Sequence, residues 1–229
     1  MSAQQTRQQI DTHLARDRAR AEALVGSLVS RETLARLDRL VSLLLKWQDT
    51  TNLIAPSTIS EIWTRHIADS LQLLTIVPQA RAWADLGSGG GFPGLVIACA
   101  MADYSGATIH LVESNQKKSA FLREAARVLS VPAIVHARRI EDFVSAPVQS
   151  LDVVTARALA PLEKLMRYTS PLLKTGAIGL FPKGQDVEAE LTAASKSWTM
   201  RTELVPSVTD PQARIVVVRS ATEITPCKL

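Results

Sequence analysis

The segment Trp83-Ala84-Asp85-Leu86-Gly87-Ser88-Gly89-Gly90-Gly91-Phe92-Pro93-Gly94 limits the folds open to this chain more than any other stretch. An apolar run closes on an acid, and five glycines then fall within the eight positions Gly87 to Gly94. Leu95-Val96-Ile97-Ala98-Cys99-Ala100 follows as the start of a buried helix. Strand, glycine turn and helix in this order build a nucleotide site at the carboxyl edge of a doubly wound α/β sheet. Glycine tolerates positive φ and lets a ligand approach bare backbone. Pro93 suits a first helical turn, where its missing N–H costs nothing. The block predicts an adenosine-containing cofactor.

The rest of the chain supplies the sheet. Ala82–Leu86, 107–112, Ala133–His136, 151–156 and 176–181 read as five strands. Helices are expected over 117–129, with Phe121, Leu122, Ala125 and Val128 facing inward, and over 162–173 and 187–198. This alternation implies a parallel sheet. The link 206–214 is too short for a crossover helix, so the last strands, 202–205 and 215–219, are expected to pair antiparallel. Residues 1–78 read instead as a helical extension before a domain over 79–229. In Arg31 to Trp47 the residues Leu34, Leu37, Leu40, Val41, Leu44 and Leu45 share one helix face. Thr58-x-x-Glu61 has the form of a capping box before a helix running to about Leu74, with Ile59, Ile62, Ile67 and Leu71 inward.

Several classes drop out. No run reaches the ~18 apolar residues of a membrane span, and the polar start Met1 to Asp11 lacks the apolar stretch of a signal peptide. Cys99 and Cys227 have no metal-ligand spacing, so no metal is expected. A reduced, cytoplasmic setting and a monomer are the simplest expectation. The net charge of +4 is mild, but Lys117, Lys118, Arg123, Arg127, Arg138 and Arg139 face a single acid, Glu124, just after the glycine block. A positive field at the ligand edge suits a polyanionic substrate.

Two cofactors compete for the glycine turn. Gly89-x-Gly91-x-x-Gly94 with Glu113 19 residues later matches the dinucleotide fingerprint, which keeps a NAD-dependent oxidoreductase open. Asp85 opposes it, because an acid at the strand tip repels a pyrophosphate. S-adenosylmethionine carries no phosphate: Asp85 favours its cationic part, and Glu113 suits its ribose diol.

The wider pattern resembles the glucose-inhibited division protein B family, the bacterial 16S rRNA (guanine-N(7))-methyltransferases. The resemblance runs from about Leu44 to Gln185. It rests on Lys46-Trp47-Gln48-Asp49-Thr50-Thr51-Asn52-Leu53, Arg65-His66-Ile67-Ala68-Asp69-Ser70, the glycine block from Asp85, Glu113-Ser114-Asn115-Gln116-Lys117-Lys118, Arg139-Ile140-Glu141-Asp142, Thr155-Ala156-Arg157-Ala158 and Lys183-Gly184-Gln185. It implies a class I S-adenosylmethionine-dependent methyltransferase fold, a Rossmann-like and mostly parallel sheet with an antiparallel C-terminal strand and a helical N-terminal extension. By motif, Gly87, Phe92, Ile140, Glu141 and Arg157 are implied at the cofactor site, beside Asp85, Gly89 and Glu113 from the residues themselves. Arg157, Arg139 and Lys183 are the active-site candidates. Asn52, Lys117, Arg123, Arg138 and Arg139 are the RNA-binding candidates. Phe92 stands where a leucine is common in the family. Arg65 and Asp69 are spaced to pair along a helix, and His66 reads as a structural histidine.

Guanine N7 carries a free lone pair and needs no proton removed. Catalysis is expected to rest on proximity, with no catalytic base. No Asn-Pro-Pro-Tyr type motif follows strand four, where the chain reads Ala156-Arg157-Ala158. The deep major groove of A-form RNA hides N7, so the target belongs in a loop or splayed out of its stack. The implied partner is 16S rRNA, the small ribosomal subunit or its assembly intermediate, with a methyltransferase acting on another RNA or on a protein as the alternative. Aromatic content is 4%, which points to phosphate and shape recognition, with Phe92 and Phe181 as candidate stacking surfaces.

Overall fold

The computed structural model describes residues 3–146 and 150–224, with side chains from Thr12 onward. Cys227 lies outside the described residues. The extension opens with α1 (Ala3–Val25) and α2 (Arg31–Gln48). The α2 helix starts where Ser30 accepts a hydrogen bond from the Thr33 N–H, a Ser N-cap. Its stripe Leu37, Leu40, Val41 and Leu44 is buried, while Leu34 and Leu45 are only half-buried.

The expected capping box does not form. Pro56–Glu61 is a 3-10 helix, and Thr58 donates to the Ala55 carbonyl rather than capping. Trp63–Ala68 then winds as a π-helix, a form often found at functional sites. Two short turns, α3 (Asp69–Leu71) and α4 (Leu73–Ile76), lead into the sheet.

Seven strands follow: β1 (Ala82–Leu86), β2 (Thr108–Val112), β3 (Ala133–His136), β4 (Val153–Thr155), β5 (Ile178–Lys183), β6 (Trp198–Pro206) and β7 (Arg214–Glu223). Their order is β3-β2-β1-β4-β5-β7-β6. The first five pair in parallel. β7 runs antiparallel to both β5 and β6, as the short 206–214 link required. The last helix, α9 (Val187–Ala194), is shorter than expected, because Trp198 already opens β6. Trp198 is buried, and a β-strand delivers it to the core as well as a helix would have.

Strand residues alternate between two cores. Trp83, Ile109, Leu111 and Val217 face one side, packed by α5 (Gly94–Ala100), α6 (Gln116–Leu129) and the extension. Ala84, Leu86, Val154 and Val216 face the other, under α7 (Ile140–Val144), α8 (Leu162–Lys174) and α9. The extension thus shares a core with half of the sheet: Ala21, Leu37 and Ile67 belong to the same cluster as Trp83. Val128 does not face inward; it is 39% exposed at the end of α6, where Leu129 takes the core position.

Candidate functional site

The carboxyl ends of β1 and β2 carry the glycine turn. The Gly87 and Ser88 N–H groups donate to the Val112 carbonyl, at 2.9 and 3.0 Å, which wraps the turn over the end of β2. Gly87, Gly89 and Gly91 adopt φ of +70°, +54° and +88°, where an L side chain is strained. The positions differ in what surrounds them. A Cβ at Gly94 would lie 2.3 Å from Leu111 Cδ2 and 2.7 Å from Asp85 Oδ2. At Gly89 nothing of the protein approaches closer than 3.7 Å, so a side chain there would fill open space at the sheet edge.

Asp85 lies beneath this turn rather than on its open side. It is 1% exposed and its Oδ2 accepts the Gly94 N–H at 3.1 Å. Burial pushes its pKa up to about 7, with the charge of Glu113 adding to the effect and the Gly94 hydrogen bond opposing it. Oδ1 is buried without a hydrogen-bond partner among the described residues. Glu113, at the tip of β2, accepts the Gly89 N–H at 2.9 Å on one oxygen and the Asn115 N–H at 2.7 Å on the other. Each carboxylate oxygen keeps acceptor capacity beyond one such bond. Ile140 and Glu141 open α7 after β3, at the same edge.

These features fit S-adenosylmethionine. The open side of Gly89 leaves room for a ligand on bare backbone, and the half-buried Glu113 offers acceptors for a diol. An orphaned carboxylate oxygen lies below.

Phe92 is 7% exposed and packs against the His66 ring, 4.8 Å between centroids; Phe181 is wholly buried under α8 and α9. Neither presents a free face for stacking. The core claims both rings because each lies on an inward strand or loop position.

Across the Gly87–Leu159 contact, a second concavity of about 720 Å³ opens over the ends of β4 and β5. Arg157 lines it and joins Arg65, His66 and Asp69 to the end of β4. Its Nε pairs with Asp69 Oδ2 at 3.2 Å, Nη1 donates to His66 Nδ1 at 2.9 Å, and Nη2 donates to the Arg65 carbonyl at 2.6 Å. Asp69 Oδ1 in turn accepts from Gln72 at 2.8 Å and Thr209 at 3.0 Å, which ties the β6–β7 loop to the extension. The expected Arg65–Asp69 pair is therefore absent; Arg65 meets Glu61 at 3.5 Å instead. The π-helix turns Asp69 inward to Arg157 and leaves Arg65 exposed.

His66 is fixed by both ring nitrogens. Nδ1 accepts from Arg157, so Nε2 carries the proton and donates to the Thr58 hydroxyl at 2.9 Å, which itself donates to Ala55. Burial, then Arg157 and Arg65, hold its pKa down at about 3. It is a neutral structural group and cannot act as a base through an unbonded nitrogen. Lys183 is engaged too: its Nζ donates to Glu190 and to the Ala160 carbonyl, each at 2.7 Å.

The RNA candidates are spread more widely. Asn52 is exposed on a loop that Gln48 holds, its side chain accepting the Leu53 and Ile54 N–H groups at 3.0 and 3.1 Å. The Leu53 carbonyl of this loop presses on Gly90, where a Cβ would approach it to 2.9 Å. Lys117 and Arg123 are exposed on α6, and Arg139 at the start of α7. Arg138 is less free, since its guanidinium lies 5.5 Å over Phe143 and donates to His136. Asp17 escaped the sequence reading. From α1 it accepts the N–H groups of Trp63, at 2.7 Å, and Thr64, at 3.1 Å, as well as the Thr64 hydroxyl. Nothing in the sequence signalled it: an acid among arginines, with Arg20 three residues on, reads as a solvated ion pair along a helix.

A family model described as rRNA small subunit methyltransferase G matches residues 33–216. The chain belongs to this family. Proteins named ribosomal RNA small subunit methyltransferase G include relatives from a Bradyrhizobium species, 57% identical over 90% of this chain and 91% of theirs, and from Methylorubrum populi, 51% identical over 90% and 98%. Among solved structures, an O-methyltransferase from Bacillus cereus in complex with SAH aligns with 91% of this chain and 99% of its own, at TM-score 0.57 and 14% identity. That likeness fixes the fold as a class I methyltransferase sheet. The family match spans both the glycine turn and the Arg157 junction.

Proposed function

We propose that the chain transfers a methyl group from S-adenosylmethionine to N7 of a guanine in a loop of 16S rRNA. The observation that carries this reading is family membership across 33–216, a range containing every candidate residue from Asn52 to Lys183. When bound, S-adenosylmethionine supplies an electrophilic methyl group on a sulfonium. Gly87, Gly89, Phe92, Glu113, Ile140 and Glu141 are the residues proposed to hold it. Asp85 shapes the turn from below through Gly94. Arg157 contributes by locking the extension against the end of β4.

The chemistry asks little more of the protein. Guanine N7 would take the methyl group on its own lone pair, the C–S bonding electrons staying with sulfur, and would leave as the cationic 7-methyl form. No proton has to move, and His66, whose two nitrogens are both committed, fits that economy. The large cleft over β4 and β5 suits a nucleotide turned out of its stack. Lys117, Arg123 and Arg139 are proposed to hold the surrounding RNA, and Lys183 to keep the cleft wall in place through Glu190. We keep residues 1–78 as a helical extension and 79–229 as the methyltransferase domain, the two sharing a core. A cytoplasmic monomer acting on the small subunit or its assembly intermediate completes the proposal; among the described residues, no helix is long and apolar enough to cross a membrane.

The test uses small subunits from cells lacking the enzyme, incubated with this protein and methyl-labelled S-adenosylmethionine. Label in 7-methylguanosine at one loop position, read by mass spectrometry of digested rRNA, is the expected result. Label in another nucleoside, or none, rejects the N7 assignment.

A further inference from the structure

The cleft over β4 and β5 is walled on one side by α1, through Arg20. Its charges sort themselves. Arg65 meets Glu61, Arg157 meets Asp69 and Lys183 meets Glu190. Arg214 spends one nitrogen on the carbonyls of Pro211 and Ala213. Arg20 alone among the cleft's basic residues has no hydrogen bond or ion pair with any described residue, and it is exposed. Arg18 on the same helix is the contrast, because it is consumed by Asp38, at 2.8 Å, and by Glu22.

The helix that carries this free guanidinium is anchored close by. Asp17, three residues earlier on α1, is 8% exposed and binds the first turn of the π-helix through Trp63 and Thr64. Thr64 itself lines the cleft. Arg18 also lies 5.1 Å over the Trp63 ring. The same π-helix delivers His66 and Asp69 to Arg157. Polar contacts joined through the π-helix therefore link α1 to the end of β4. They set Arg20 at the rim of the space proposed for the acceptor nucleotide.

We infer that Arg20 is a phosphodiester contact for the RNA strand flanking the target guanine, which makes α1 part of the acceptor site. A planar guanidinium with five donors matches the phosphate oxygens. The one cleft acid outside an ion pair, Asp210, uses its carboxylate on the Gln212 N–H in the β6–β7 turn. The inference rests on the rRNA reading above, and it places RNA on a face separate from the Lys117–Arg139 surface.

The experiment measures binding of purified small ribosomal subunits, cofactor binding and methylation for wild type, Arg20→Ala, Arg20→Glu and Arg16→Ala. Arg16 is exposed on α1 but does not line the cleft, so it controls for generic helix charge. Arg20→Ala is expected to weaken subunit binding by about 3- to 10-fold and to reduce the salt slope by about one. Arg20→Glu should weaken it further. Cofactor affinity, and kcat at saturating subunits, should stay within about twofold, while KM rises with the lost binding energy. An Arg20→Ala protein with wild-type binding and salt slope overturns the inference, as does an Arg16→Ala protein with an equal defect. A wild-type protein that labels no rRNA rejects the functional reading itself, and this inference with it.

Discussion

On the β1–β2 side of the carboxyl edge, the hydrogen bonds that shape the glycine turn join residues between Asp85 and Asn115. On the β4–β5 side, Thr64 reaches Asp17 across 47 residues, Arg157 reaches His66 across 91, and Thr209 reaches Asp69 across 140. One half is a local motif whose geometry is written in consecutive residues. The other is a junction of distant segments, each side chain meaningless until the fold brings its partner. The first half is built to present bare backbone, the second to immobilise charged groups.

Removing an anchor of the junction is expected to cost most. Asp69→Ala leaves the half-buried Arg157 guanidinium without its carboxylate and removes the Thr209 contact to the β6–β7 loop, which Gln72 still holds at Val208. Breaking such a pair costs about 3 kcal/mol or more, since a charge is stranded away from water. Urea denaturation should show that loss, with methylation falling at least tenfold and cofactor affinity moving far less. A loss below about 1 kcal/mol would mean that the two halves do not differ in this way.

The glycines sharpen the contrast from the other side. Gly94→Ala forces a Cβ against Leu111 and Asp85 and is expected to destabilise the protein by about 2–3 kcal/mol. Gly89→Ala meets nothing of the protein and carries only the strain of its positive φ, about 1 kcal/mol. Its larger effect should fall on S-adenosylmethionine, at least tenfold in Kd, because the methyl group enters the ligand's space. Thermal unfolding with and without the cofactor separates the two. If Gly89→Ala binds the cofactor normally, the open side of the turn is not the binding side.

The pH dependence of a His66 variant relative to wild type probes the junction. The folded pKa of His66, about 3, lies below its ordinary value of 6.5. The unfolded chain takes up the proton first, so the His66 contribution is complete above about pH 6.5 and is lost as pH falls toward 3. At pH 5 the loss is about 2 kcal/mol. His66→Gln should flatten the stability curve over this window relative to wild type, after the other acid-sensitive groups cancel in the difference. Parallel curves would show that burial and Arg157 do not hold His66 neutral.

The same contrast explains what the sequence made legible. Asp85 to Gly94, Glu113 and the strand–helix alternation could be placed because glycine clustering and periodicity are local signals. Asp17 could not, since its partners lie in a π-helix that no spacing rule anticipates. The pairing of Arg65 with Asp69 failed for that reason: the wider turn sends the two side chains to different neighbours. Phe181 failed as a stacking surface because a strand-end aromatic reads alike whether its face is open or covered by α8 and α9.

The smallest expected effect tests whether the α6–α7 surface is an RNA face at all. Lys117 and Arg139 are exposed, and Asn115, whose side chain accepts the Lys117 and Lys118 N–H groups, fixes the start of α6 beside the glycine turn. Neither residue shapes the cofactor site through its own side chain, so Lys117→Ala with Arg139→Ala should leave stability and cofactor affinity unchanged. Subunit binding should weaken by about threefold for each lost phosphate contact at physiological salt, and the slope of log K against log salt should fall by about two. That loss fades as salt rises, which distinguishes it from the salt-insensitive damage expected of Asp69→Ala. Unchanged binding at every salt concentration would shift the whole electrostatic share of RNA recognition to the cleft, where Arg20 is its candidate carrier.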